Sequence, residues 1–197
     1  TYRFYVDVVN SDDFVSSIYG NDQNPLEIST EAGFYNDPFG ATVASGINAM
    51  FLTVVPTLVA DSWMTIGIES APVSPEVAVS TVEDADQPFV AAFHTTSPDM
   101  DGQNILLNTQ TGGAWFVLNG TPNGQPDGDN RVLIMQMTTT AGLSGTLNVQ
   151  IFGFGIGDND IRKTFEYDGA GTFAAQGEGG GGQQRRSELH RGSAGCS

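Results

Sequence analysis

Thr146-Leu147-Asn148-Val149-Gln150-Ile151-Phe152 places Leu147, Val149 and Ile151 on one face of an extended chain and Asn148, Gln150 and Phe152 on the other. Side chains alternate across a strand with period two, so residues 146–154 read as a half-buried β-strand. The same alternation opens the chain. Tyr2, Phe4, Val6 and Val8 share a face before Asn10-Ser11-Asp12-Asp13 supplies turn chemistry.

Working outward, residues 14–19, 26–29, 50–55, 62–68, 89–94, 105–107, 114–118, 131–138 and 163–167 are short runs of large or β-branched residues, with an edge strand at 77–79 in a Pro-containing acidic stretch. Asn119-Gly120, Asn123-Gly124 and Asp127-Gly128 punctuate the gaps. No window carries apolar residues at i, i+3, i+4 and i+7. The expected fold is all-β, an antiparallel β-sandwich of roughly ten short strands without a helix. Residues 30–48 read as a long loop pinned by Phe34, Tyr35 and Phe39.

The 197 residues and 39% hydrophobic content fit one domain, expected over residues 1–175. From Gln176 the composition shifts to four consecutive glycines at 179–182 and a polar, basic end. Residues 176–197 therefore read as a flexible Gly-rich C-terminal tail, or an arm that docks on a neighbouring acidic subunit.

Seven basic residues face 23 acidic ones, and three of the seven, Arg185, Arg186 and Arg191, lie in that tail. So acidic a surface repels phosphate backbones and anionic lipid, which argues against nucleic-acid and membrane partners. No run approaches the ~18 apolar residues that span a bilayer. Cys196 is the only cysteine, so packing has to supply the stability. The chain begins at Thr1 within a strand-like run, which points to an upstream targeting peptide or larger precursor.

The inventory for catalysis is thin. A Ser-His-Asp or Cys-His arrangement needs an imidazole, and residues 1–175 hold only His94, which reads as a strand-end histidine. Gly142-Leu143-Ser144-Gly145 lacks the spacing of a nucleophile elbow and reads as a hairpin turn. Glu27, Glu69, Glu83 and Glu166 leave open a hydrolase built on paired carboxylates. Trp63 and Trp115 read as core residues before sugar platforms. The expectation is a non-enzyme without a resident cofactor.

Oxygen-rich Ca²⁺ sites remain open, because loop carboxylates and carbonyls satisfy that ion. Three turns gather acids: Asp99 with Asp101, Asp127 with Asp129, and Asp158 with Asp160. None continues as an EF-hand, and turn formers that bond their own backbone are the plainer reading.

Asp61-Ser62-Trp63-Met64-Thr65-Ile66-Gly67, Gly113-Ala114-Trp115-Phe116-Val117, Arg131-Val132-Leu133-Ile134-Met135-Gln136 and Gly145-Thr146-Leu147-Asn148-Val149-Gln150 together resemble a β-domain of marine algae and bacteria. Its characterised relatives are the pyrenoid shell proteins of diatoms and related algae. The resemblance covers roughly residues 50–155. It implies a β-sandwich that tiles with copies of itself into a sheet, shell or filament, with no catalytic residue, and a plastid pyrenoid address. Those shell proteins carry two such domains, and this chain has room for one. Without the resemblance, a secreted or cell-surface glycan- or Ca²⁺-binding module is the alternative.

Overall fold

The computed structural model describes residues 1–94, 102–177 and 188–193. Its strands are β1 (Tyr2–Asp7), β2 (Phe14–Gly20), β3 (Leu26–Thr30), β4 (Trp63–Met64), β5 (Ser80–Val82), β6 (Ile105–Leu107), β7 (Gly113–Phe116), β8 (Arg131–Met137), β9 (Leu143–Phe152), β10 (Asp160–Asp168), β11 (Thr172–Ala174) and β12 (Glu188–Ser193). They form an all-β sandwich. Sheet A has the order β11-β12-β1-β8-β4, and sheet B runs β5-β7-β2-β9-β3-β6 with β10 on the free side of β9.

Alternation builds the core between them. Phe4 and Val6 of β1, with Val132 and Met135 opposite them on β8, meet Leu147, Val149 and Ile151 of β9 and Phe165 of β10, all within 2% of full burial. A register shift on β8, between Phe4 and Tyr5 of its partner, leaves Ile134 without a partner on β1, while on its other side Ile134 receives the Thr65 amide at 2.9 Å. Its carbonyl accepts the Trp115 indole N–H at 3.2 Å, which satisfies that donor inside the core.

Sheet B contains two interrupted strands lying side by side. β2 and β3 run in the same direction along one edge of β9, β2 against residues 148–152 and β3 against 143–146, with residues 21–25 looped out between them. β7 and β6 repeat this along β2 and β3, looping out residues 108–112. Asn148 fills the break. Its Nδ2 donates to the carbonyls of Tyr19 (3.2 Å), Asn24 (2.9 Å) and Pro25 (3.1 Å), and its Oδ1 accepts from Thr164 (2.8 Å).

The two excursions touch through glycine. Gly112 has φ 68°, and a Cβ there would fall on the Gly20 carbonyl oxygen. Gly120 has φ 88° but open space around it. Gly112→Ala is therefore expected to cost about 3 kcal/mol against about 1 kcal/mol for Gly120→Ala, read from urea unfolding midpoints. Equal costs would mean the excursions do not need their close approach.

Three expected strands differ. Residues 50–55 contain a short helix, α1 (Phe51–Val54), and residues 89–94 contain α2 (Val90–Phe93). In the first, Leu52 and Val55 pack on one cluster, and in the second Val90 and Phe93 do; that spacing of three fits a helical turn and overrides β-propensity. The edge strand expected at 77–79 lies three residues later, as β5. Gly142 does not close a hairpin, because β8 and β9 belong to different sheets and Leu143 already opens β9. Within the stretch read as a tail, Glu188–Ser193 pairs with β1 and β11 as β12.

Candidate assembly surface

The acidic turns are organised by arginine and by their own backbone. Asp127 Oδ1 accepts the amides of Asp129 (2.9 Å) and Arg131 (3.2 Å), and the Arg131 guanidinium reaches both Asp127 (3.2 Å) and Asp129 (2.9 Å). Asp160 pairs with Arg162 at 3.1 Å, while Asp158 is exposed in the turn before β10. Asp99 and Asp101 lie outside the described residues. Among the described residues, no three His, Cys, Asp or Glu side chains are grouped to hold a metal ion.

The four glutamates are engaged separately or solvated. Glu69 binds Arg3 at 2.8 Å, Glu83 accepts the amides of Phe89 and Val90 at the start of α2, Glu166 accepts from Gln176, and Glu27 is exposed. Trp63 and Trp115 are both buried. His94 ends α2, with burial holding its pKa below the usual imidazole value against the opposing charge of Asp37, and its Nδ1 is unpartnered among the described residues.

A different feature stands out on the outer face of sheet A. Residues 38–60 contain no charged side chain, in a chain of net charge -16. This segment folds as a cap across β4 and β8. Ala44, Ile47 and Leu58 bury against Trp63 and Leu133, and the Gln136 amide donates to the carbonyls of Val59 (3.1 Å) and Asp61 (2.8 Å). Thr42 and Val43 lie along β4, the Thr42 carbonyl accepting the Met64 amide at 2.9 Å, so that sheet edge is covered.

The cap's other side is apolar and open to solvent. Met50 is 71% exposed, Val54 66%, Phe39 55% and Val59 53%, with the Phe39 and Phe51 rings in edge contact at 5.5 Å. Phe39 is thus presented outward and does not pin its loop to the core. A smaller apolar spot belongs to sheet B: Leu118 follows β7, and Phe154 and Ile156 follow β9, all more than half exposed. Phe154 holds φ 56°, unusual for a residue with a side chain, and its amide donates to Asp13 Oδ1 at 2.9 Å.

Asp61 fastens the base of the cap. The residue is fully buried, and its carboxylate accepts the amides of Asp37 (2.8 Å) and Ala41 (3.1 Å) in space left by the missing side chain of Gly40. Burial outweighs these donors, and its pKa is pushed up to about 7.

A carboxyl with a raised folded-state pKa binds its proton more tightly folded than unfolded. Its stabilising contribution is full below pH 4 and is lost as pH rises through 7. Relative to Asp61→Asn, the wild-type chain is expected to lose on the order of 4 kcal/mol between pH 4 and pH 8 in urea titrations. A pH-independent difference would show that Asp61 titrates normally.

Beside the cap lies a cleft of about 480 Å³ lined by Tyr5, Glu69, Asn123, Gln125 and Arg131, among others. The Arg131 guanidinium covers one face of the Tyr5 ring at 4.8 Å. No protein-family model matches the chain, and no curated protein or solved structure matches it.

Proposed function

We propose that this chain is a non-enzymatic structural domain that assembles with copies of itself into a sheet, shell or filament. The cap carries this reading. Two copies of a molecule with net charge -16 repel wherever acidic surfaces meet, and the uncharged cap lets them approach with least Coulomb cost. Its exposed Phe39, Met50, Val54 and Val59 supply apolar area to bury.

The spot around Phe154 belongs to the opposite sheet. One self-complementary patch closes a dimer, whereas two on different sheets allow growth. The resemblance to pyrenoid shell proteins agrees with this reading and would place the protein in the plastid. Light scattering during size exclusion, with negative-stain microscopy, tests it on the full chain. Ordered particles that grow with concentration are expected, and a strict monomer at high concentration overturns the proposal.

The cleft at Tyr5 favours a second reading, a glycan-binding module, because an aromatic ring among amide and carboxylate groups suits sugar hydroxyls. A glycan array and calorimetry with Ca²⁺ test that alternative, and silence in both removes it.

A further inference from the structure

We infer that β12 is an exchangeable strand: within an assembly, Glu188–Ser193 of one copy fills the slot between β1 and β11 of the next. This rests on the self-assembly reading and specifies one of its contacts.

The slot is built by the body of the domain. β12 pairs with all six residues of β1, from Tyr2 to Asp7, and with the three residues of β11. In sheet A, β11 has no neighbour other than β12 among the described residues. Vacating the position therefore opens a six-residue edge on β1 and leaves β11 unpaired, which is the template that a strand from another chain completes.

The connection is longer than closure within one chain requires. Ala174 and Glu188 are directly opposite in the register, so a hairpin of two to five residues would join them. Residues 175–187 intervene instead, four of them consecutive glycines. Fully extended, a connection of that length reaches about 45 Å, beyond the width of the slot. Lengthening a connection lowers the effective concentration of a strand at its own slot, which favours a neighbour's strand at high protein density.

Glu188-Leu189-His190-Arg191-Gly192-Ser193 contains one large apolar residue, and the register sets Arg191 opposite the fully buried Phe4. Main-chain pairing with β1 and β11 is the same for a strand from any copy. Charge likewise suits a neighbour's slot as well as the strand's own. Residues 176–197 hold three arginines against two glutamates, whereas residues 1–175 hold four basic against 21 acidic residues. An arm inserted into a neighbour meets an oppositely charged body.

Cysteine pairing on the full chain tests this. Asp7 and Glu188 are opposite in the register at the end of the strand, and facing antiparallel positions lie about 4.5–5.5 Å apart between Cα atoms, within disulfide reach. Three chains are made with Cys196→Ser: one with Asp7→Cys, one with Glu188→Cys, and one with both. The single variants are mixed before folding at assembly concentration, oxidised, and resolved without reductant.

A disulfide-linked heterodimer several-fold above either homodimer is expected, with ladders from the double variant. Closure of the double variant within one chain, with no heterodimer from the mixture, overturns strand exchange, as does failure to form either bond. Light scattering of the same samples separates the outcomes. Particles with intrachain bonds leave self-assembly standing and remove exchange, whereas monomers with intrachain bonds remove both.

Discussion

Replacing Asn148 with aspartate is expected to destabilise the fold by about 4 kcal/mol or more, lowering the melting temperature by about 10 °C. Asn148 is fully buried at the gap between β2 and β3, where its Nδ2 faces the carbonyls of Tyr19, Asn24 and Pro25. Aspartate replaces that donor with an oxygen aimed at three others, and neither ionisation nor a single proton satisfies them all.

Asn148→Ala should cost less, about 2–3 kcal/mol, because it leaves acceptors unpaired without adding repulsion. Thr164→Val removes only the partner of Oδ1 and should cost about 1 kcal/mol. Urea unfolding of the three variants checks this order. An aspartate variant within 1 kcal/mol of wild type would mean that the break in the strand needs no plug.

This residue marks where the fold stopped being legible. The alternation that placed Leu147, Val149 and Ile151 in the core also assigned Asn148 to the other face, and both assignments hold. Its burial arises from residues 21–25, which leave the strand and return in the same direction. Asn21-Asp22 and Asn24-Pro25 read the same locally whether the chain reverses or makes an excursion. Only the pairing to β9, more than a hundred residues away, distinguishes them. The two short helices lack a local signal for a related reason, since Leu52 with Val55 and Val90 with Phe93 take their spacing from what they pack against.

The surface was partly legible. Residues 38–60 can be counted as uncharged from the sequence alone, which is a strong departure in so acidic a chain. Whole-chain composition averages such a neutral window away, because the acidic residues on either side dominate the total. The buried state of Asp61 had no local signal, because Asp61-Ser62 before a strand resembles any exposed turn. The aspartates that drew attention, Asp127, Asp129 and Asp160, were conspicuous because they cluster in turns, and there the structure supplies Arg131 and Arg162.

Met50→Asp combined with Val54→Asp is expected to raise the concentration needed for assembly by at least about 100-fold while leaving the fold intact. Both side chains are more than 65% exposed and lie outside both buried clusters, so their loss creates no cavity. At an interface each contributes about 1–3 kcal/mol of apolar burial, and the carboxylates put two new charges where copies meet. Val73→Asp is the control, since Val73 is 73% exposed but lies outside the uncharged segment.

The two chains separate patch loss from general charge. If added acid alone opposed association, Val73→Asp would shift assembly as well, and raising salt would restore both variants. If the cap is the contact, only the double variant dissociates and salt restores it in part, because the missing apolar area is indifferent to screening. Equal assembly by wild type and double variant, at matched unfolding midpoints, would remove the cap from the interface.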